Sequence, residues 1–486
     1  MKRFTQIRPR STRRLTASGL SVRVLVAVLL VMRPTPGQAQ SVQAPGEALT
    51  LRTALQFASE HYPSIRAALE ETAAATAQIR VAESAYLPRL DAVWQVNRAT
   101  ANNVFGQVLP QSVIPSMSGP VLADASGSNV WGSAVGALLS WEPADLGLRA
   151  ASVREAQANA ALSRADEGVM RLAVQAAVGA AFLAVAQADQ AVVAAEADVE
   201  RRDVLARAAH VLADNQLRPG ADASRADAER AGARTRAIRA REAAAIARVE
   251  FARLLGLSGT AVSVDTTDVT ATATEAQPAP ASNDEHPSVR ARLAAIDLSK
   301  ARESVLDVSN RPRLLLQSAL FARGTGAHTD GVFDGGVSGL TPDRVNWAAG
   351  VQVVIPNLFE TAALRARRMA AAASTRSVQA QFDESVLAVS AQRQRAAAVL
   401  EAARAIAQNT PVQVAAAAQS EQQARARYDA GLGTLTEVAE SQNLLAQAEY
   451  EDVTARIDVW RALLDQAVAR GDVTSLTGSM PAAGGR

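Results

Sequence analysis

Two hydrophobic periods alternate in blocks along this 486-residue chain. From about Ser64 to Leu87, and again from about Ser288 to Ser309, the pattern predicts a helix, and each stops before a proline, Pro88 or Pro312, that cannot continue it. The period then drops to two. Leu90, Ala92, Trp94 and Val96 alternate with Asp91, Val93, Gln95 and Asn97, and Leu314 to Phe321 holds the same place in the second block. After a loop rich in Gly, Ser, Asn and Pro comes a further strand-like run, Trp131–Trp141 in one block and Trp347–Ile355 in the other. Four strands in two hairpins are predicted. No proline then intervenes between Pro143 and Pro219, so a helix of some 70 residues follows, turns at Asp214–Gly220 and returns through Ala221–Leu257. The second block repeats this. A helix follows Pro356, is broken or kinked at Pro411, turns at Tyr428–Gly433 and returns to Arg470–Gly471. Ahead of the first block, Thr50 caps a short helix opening at Leu51.

The blocks are copies. His61-Tyr62-Pro63-Ser64-Ile65-Arg66 returns as His286-Pro287-Ser288-Val289-Arg290, and Pro88-Arg89-Leu90 as Pro312-Arg313-Leu314, both 224 residues on. Later the offset is 215, pairing Asp145 with Glu360, Asp214 with Asp429, Asp222 with Glu437 and Gly256 with Gly471. The two copies therefore differ by nine residues between first strand and long helix. The organisation reads as 1–39 leader, 40–265 first repeat, 266–285 connecting loop, 286–471 second repeat and 472–486 flexible tail.

At ~1.5 Å per residue the long helix reaches on the order of 100 Å, several times a bilayer's thickness, so it crosses an aqueous space. Its most apolar part, Leu172–Ala186, reads as a helix-contact face bracketed by Gln175 and Gln187. The strands have the ~10-residue length of tilted membrane strands, with Trp94, Trp131, Trp141 and Trp347 as interface aromatics; a soluble hairpin with buried tryptophans is the other reading. In a membrane, four strands leave open edges that hydrocarbon does not tolerate, so several copies must share one barrel.

Residues 1–39 hold eight Lys or Arg and no acid, then the apolar run Val24–Met32 and Gly37-Gln38-Ala39, which reads as a cleaved secretory signal. A membrane anchor is the alternative, although nine apolar residues fall short of the ~20 needed to span. The whole chain carries +2; without those eight charges the remainder is −6, so no nucleic-acid partner is implied. There is no cysteine, hence no disulfide, no thiolate metal site and no lipid-modified N-terminal cysteine. No GxSxG, Walker or HExxH motif occurs. No enzyme, cofactor or metal is expected. The histidines His61, His210, His286 and His328 are scattered and read as exposed.

The helix–proline–hairpin–helix duplication, Trp141-Glu142-Pro143-Ala144-Asp145-Leu146-Gly147 and Tyr428-Asp429-Ala430-Gly431 together resemble the TolC-like outer-membrane factor family over the mature length. The resemblance implies a mostly α fold with a β-barrel portion: a homotrimer whose helical hairpins form a periplasmic α-barrel and whose strands form one 12-stranded outer-membrane barrel. It implies an exit duct working with a periplasmic adaptor and an inner-membrane transporter. It places a periplasmic gate at Glu437, Glu440, Asp222 and Tyr428, and adaptor docking at the turns holding Leu217, Gly220, Gly431, Leu432 and Gly433. Glu437 and Glu440, three apart, share a helix face; a solvated face is their plainer reading. Where the family's best-studied pattern has an arginine just after the turn glycine, this chain has Gly433, and Arg218 stands in the equivalent place of the first repeat. The missing lipid anchor points toward type I protein secretion by an ABC transporter, with drug or metal efflux as the alternative and a periplasmic coiled-coil scaffold as the remotest.

Overall fold

A computed structural model describes residues 48–100, 127–217, 219–257, 262–270, 285–326, 336–356, 361–474 and 476. The signal segment, Arg218, His328, Glu360, most of the connecting loop and residues 477–486 lie outside the described residues. The chain divides into residues 1–43 and 44–486, and every described element belongs to the second unit.

These elements run α1 (Leu51–His61), α2 (Pro63–Ser84), β1 (Arg89–Thr100), β2 (Asn129–Ala144), α3 (Leu148–Asp214), α4 (Gly220–Leu254), α5 (Thr267–Thr270), α6 (Pro287–Val308), β3 (Arg313–Thr325), β4 (Arg344–Val354), α7 (Thr361–Asp429) and α8 (Leu435–Arg470). Thr50 caps α1 in a reciprocal capping box with Thr53. Part of the expected connecting loop is the single turn α5, and the start of the expected flexible tail is packed, with Val473 and Leu476 buried.

Helix α3 packs on α2 and α4, and on α6 and α8; α7 packs on α6 and α8. The repeat is visible in how the shorter helices meet. Gly256, just past α4, lies against His61 O and Pro63 Cδ at the start of α2, and Gly471, just past α8, lies against Pro287 at the start of α6. Each composite column, α4 with α2 and α8 with α6, thus flanks a continuous long helix.

The pair α3–α4 is held in register by a ladder. Asp189–Arg248 (2.6 Å), Glu196–Arg241 (2.7 Å), Asp203–Arg234 (3.1 Å) and His210–Asp227 (2.9 Å) follow one another at seven-residue steps on both helices. That is the heptad of an antiparallel coiled coil, and in the last rung acid and base exchange helices. Such exposed pairs add little stability each, but a one-turn slip would break all four. Beneath the ladder lie Ala226, Ala233, Ala237 and Ala244 of α4, which let the backbones approach.

By composition α3 contains a stretch apolar enough to cross a membrane. The structure uses it as a contact face, as its bracketing glutamines suggested. Phe182 meets Phe251 of α4 edge to face at 5.8 Å, and Gly179 admits Leu464 of α8 so closely that a Cβ would be 3.0 Å from its methyls. Pro411 does not break α7, which is helical from end to end. Proline denies the Ala407 carbonyl its bond, yet packing holds both sides. Thr410 Oγ1 donates to Asp452 of α8 at 2.7 Å and Gln413 Nε2 to Glu451 at 2.8 Å.

The two expected hairpins join through β2–β3 into one antiparallel sheet of order β1-β2-β3-β4. The register aligns Leu90–Leu139–Ser318–Ala349, Ala92–Ala137–Leu320–Trp347 and Trp94–Val135–Ala322–Val345 on one face. The opposite face carries Arg89–Ser140–Gln317, Asp91–Leu138–Ala319, Val93–Gly136–Phe321–Asn346 and Gln95–Ala134–Arg323–Arg344. Apolar side chains cover the first face and are exposed, whereas the polar ones share the other face with a small cluster of Ala134, Leu138, Ala319 and Phe321.

Candidate functional site

Two regions carry the residues that the sequence singled out: the pair of helical turns and the sheet. At the second turn α7 ends at Asp429, and Gly431 takes a left-handed φ of +77°. The Arg427 carbonyl accepts from Leu432 N (2.8 Å) and Gly433 N (3.0 Å). Thr434 caps α8 by accepting from Glu437 N at 3.3 Å. Glu437 therefore sits at the helix N-terminus, where backbone amides favour a carboxylate, and Arg427 Nη2 stands 3.6 Å from it. Glu440 is exposed one turn on. A larger residue at Gly433 would press on its neighbours. A Cβ there would stand 3.2 Å from Arg427 Cβ and from Tyr428 N, and 3.3 Å from Glu437 Oε2. Arg427, ahead of the turn, is the cation beside Glu437.

The first turn is built differently. Asn215 closes α3, Gln216 takes φ +59°, and Pro219 precedes α4. Gly220 opens α4, and the half-buried Asp222 lies in its first turn, the counterpart of Glu437. Both turns present a bare leucine, Leu217 at 70% exposure and Leu432 at 76%. Just inside, Leu205, Ala206 and Ala209 of α3, Ala226 of α4, Tyr428 of α7 and Leu435 and Val438 of α8 form one core cluster. Tyr428 is 1% exposed, so its ring ties the two hairpins together within one chain.

Sequence reading missed the polar knot farther along the same columns. Arg202 is 1% exposed; its Nε donates to Asp198 at 3.0 Å, Nη1 to Glu229 at 2.9 Å and Nη2 to Asn443 at 2.7 Å, and Arg236 also reaches Asp198. This joins α3, α4 and α8. Asp198 and Arg202, four apart on α3, were the available signal.

At the sheet's helical end Asp145 organises the strand-to-helix turn. Its carboxylate accepts from Gly147 N (3.0 Å), Arg149 N (2.6 Å) and Arg149 Nε (3.0 Å), while Leu146 and Gly147 take positive φ. Burial pushes the Asp145 carboxyl up, but these donors outweigh it and hold the group below its usual value. Arg149 in turn lies 4.7 Å over the Tyr86 ring. The tryptophans stand in four different rows of the sheet. Trp141 is at the helical end, its Nε1 donating to Tyr86 O; Trp131 is at the far end beneath Arg98; Trp94 (77% exposed) and Trp347 (78%) stand between, on the apolar face. One belt does not hold all four.

His286 corrects the reading of exposed histidines. It is 5% exposed and caps α6, its Nδ1 accepting from Ser288 N at 3.3 Å with Nε2 against Val468 O at 3.2 Å. Burial, with Arg393 nearby, lowers its pKa against the opposing Val468 bond. Among the described residues no group of His, Asp and Glu is arranged to hold a metal.

The outer membrane efflux protein family matches residues 282–469, the second repeat. That repeat is similar to an outer membrane efflux protein domain. The chain as a whole has the TolC-like fold. It is similar to the CusC channel protein (TM-score 0.72, 14% identical, 91% of this chain and 98% of that one). It is similar too to the CmeC outer membrane channel of Campylobacter jejuni (TM-score 0.68, 14% identical, 92% of each chain) and to the MtrE outer membrane channel of Neisseria gonorrhoeae (TM-score 0.65, 18% identical, 87% and 89%). No curated protein matches the chain in sequence. The efflux protein family comprises outer-membrane channels rather than enzymes, and the first repeat supplies the other half of the same fold.

Proposed function

We propose that the protein is the outer-membrane exit duct of a three-part export system, a homotrimer with a 12-stranded barrel in the membrane and helical columns in the periplasm. The observation that carries this is the sheet's inverted polarity. Soluble sheets bury their apolar face; here Trp94, Leu320, Val345, Trp347 and Val351 point outward and the polar rows lie opposite. The strands, 12, 16, 13 and 11 residues long, reach or exceed the ~9–11 that span a bilayer. β1 and β4 each have a free edge, which another copy must pair. The outer sides of α4 and α7 likewise expose Ile238, Ile246 and Val249, and Leu387, Ile406 and Val412.

The turns form the periplasmic mouth, with Glu437, Glu440 and Asp222 lining it and Tyr428 bracing it. Leu217 and Leu432, set by Gly220, Gly431 and Gly433, receive the adaptor, and an inner-membrane transporter supplies energy. Two cargo classes remain. The absence of cysteine, and so of a lipid anchor, favours a secreted protein delivered by an ABC transporter; the efflux description of the matched domain favours small toxic compounds. Deleting the gene and comparing the secreted proteins with sensitivity to a panel of toxic compounds tests this. Loss of one large protein from the medium establishes secretion, increased sensitivity establishes efflux, and a protein absent from outer-membrane fractions overturns the duct.

A further inference from the structure

The polar face of the sheet carries an ion pair arrangement at one end and lacks it at the other. Near the helices the charges are matched: Arg89 with Asp91 at 2.9 Å and Arg313 with Glu142 at 3.9 Å. Farther out, the register sets Arg323 directly opposite Arg344, in a row completed by Gln95 and Ala134. Like charges placed opposite one another on neighbouring strands repel. Among the described residues the Arg323 guanidinium has no ion pair, and Arg344 has only the sequence neighbour Asp343 at 4.0 Å, both largely exposed. The rows above and below add no acid; they hold Asn97, Gly132 and Thr325, and Val93, Gly136, Phe321 and Asn346.

Depth makes this informative. Arg323 lies one row beyond Trp94–Val135–Ala322–Val345, still alongside the exposed Val96. An ionised side chain at that depth must face water, and holding two facing cations there, with Asp343 against one of them among the described residues, costs stability that a visiting anion would offset. Rings of arginine are the device by which pores attract anions.

We propose that Arg323 and Arg344 form an anion-binding constriction in the outer part of the barrel lumen, six guanidinium groups in a trimer, which takes multivalent oxyanions such as phosphates and clustered carboxylates. This rests on the reading of the strands as a shared membrane barrel. The duct then carries opposite signs at its two ends, acidic at the helical turns and basic toward the outside, so an anionic group leaving the mouth is drawn outward.

The test is single-channel recording in planar bilayers with inorganic pyrophosphate added on the barrel side. Wild-type current is blocked; in Arg323→Gln/Arg344→Gln the half-blocking concentration rises at least tenfold and cation preference increases; Arg323→Lys/Arg344→Lys retains block. If the double glutamine variant does not insert, Arg344→Gln alone, at an exposed site, raises the half-blocking concentration at least threefold. Block unchanged by the substitutions overturns the constriction. Wild-type protein that inserts but never conducts overturns the duct reading instead.

Discussion

Gly471 closes α8 directly against Pro287, the first residue of α6: a Cβ at Gly471 would stand 2.5 Å from Pro287 Cδ, and its φ is +87°. Gly256 and Pro63 form the same joint in the first repeat, more loosely, with the nearest atoms at 3.6 Å and φ +76°. Replacing either glycine by alanine forces an L residue into the left-handed region at about 1–2 kcal/mol. Gly471→Ala adds a clash with a rigid ring, so its melting temperature in detergent, followed by circular dichroism, falls clearly further than that of Gly256→Ala. Equal melting of the two variants would show the joints to be looser than they look.

Arg202 holds three acceptors on three helices, while Arg236, on the rim of the same knot, is half exposed. Removing Arg202 takes from Asp198 its buried partner, leaving it only the rim Arg236, and takes a donor from both Glu229 and Asn443, at a cost approaching the roughly 3–5 kcal/mol of a broken buried pair. Arg202→Ala therefore lowers the melting temperature strongly and Arg236→Ala only slightly, which thermal unfolding of the two variants side by side will check.

His286 gives stability a pH dependence. Its folded pKa lies below the unfolded value of 6.5, so the unfolded chain binds the proton more readily. The contribution is complete above about pH 6.5 and is lost as pH falls toward the folded pKa, by at most about 1.4 kcal/mol per pH unit. His286→Asn keeps a capping acceptor for Ser288 N but cannot titrate. Denaturant midpoints measured from pH 7.5 to 5 should fall more steeply for the wild type than for this variant.

At the mouth, Glu437 has the α8 amides and Arg427 for company, whereas Glu440 is bare. Replacing both by alanine removes six carboxylates from a trimer, so cation preference and block by multivalent cations both decline in single-channel currents. Currents that keep both properties would remove these residues from the gate.

Much of the fold was legible because its signals are local. The prolines at 88 and 312 stop helices, the glycines at 256 and 471 end them, and the tandem copy told which of these belong together. The proline-free run and the turn at Asp214–Gly220 announced the α3–α4 pairing, and alternation around Trp94 announced a strand. The assignment of a mouth to these turns rests on resemblance alone, since a turn glycine and two glutamates are common in any helical protein. Arg202 stayed hidden because a heptad pattern does not say which polar side chain faces inward, and Pro411 misled because a helix clamped on both sides by Asp452 and Glu451 tolerates a lost bond that an isolated helix would not.

The sequence by itself determined the duplication and the element types, since each follows from period, proline and glycine within a few residues, whereas the outward exposure of the apolar strand face came from the structure. Only the tertiary structure decided which residues share a row. Helix packing brings Gly471 to Pro287, and strand register turns Arg323 and Arg344 into a facing pair and spreads four tryptophans over four rows, because a shift of one residue, invisible in composition, moves every side chain to the other face.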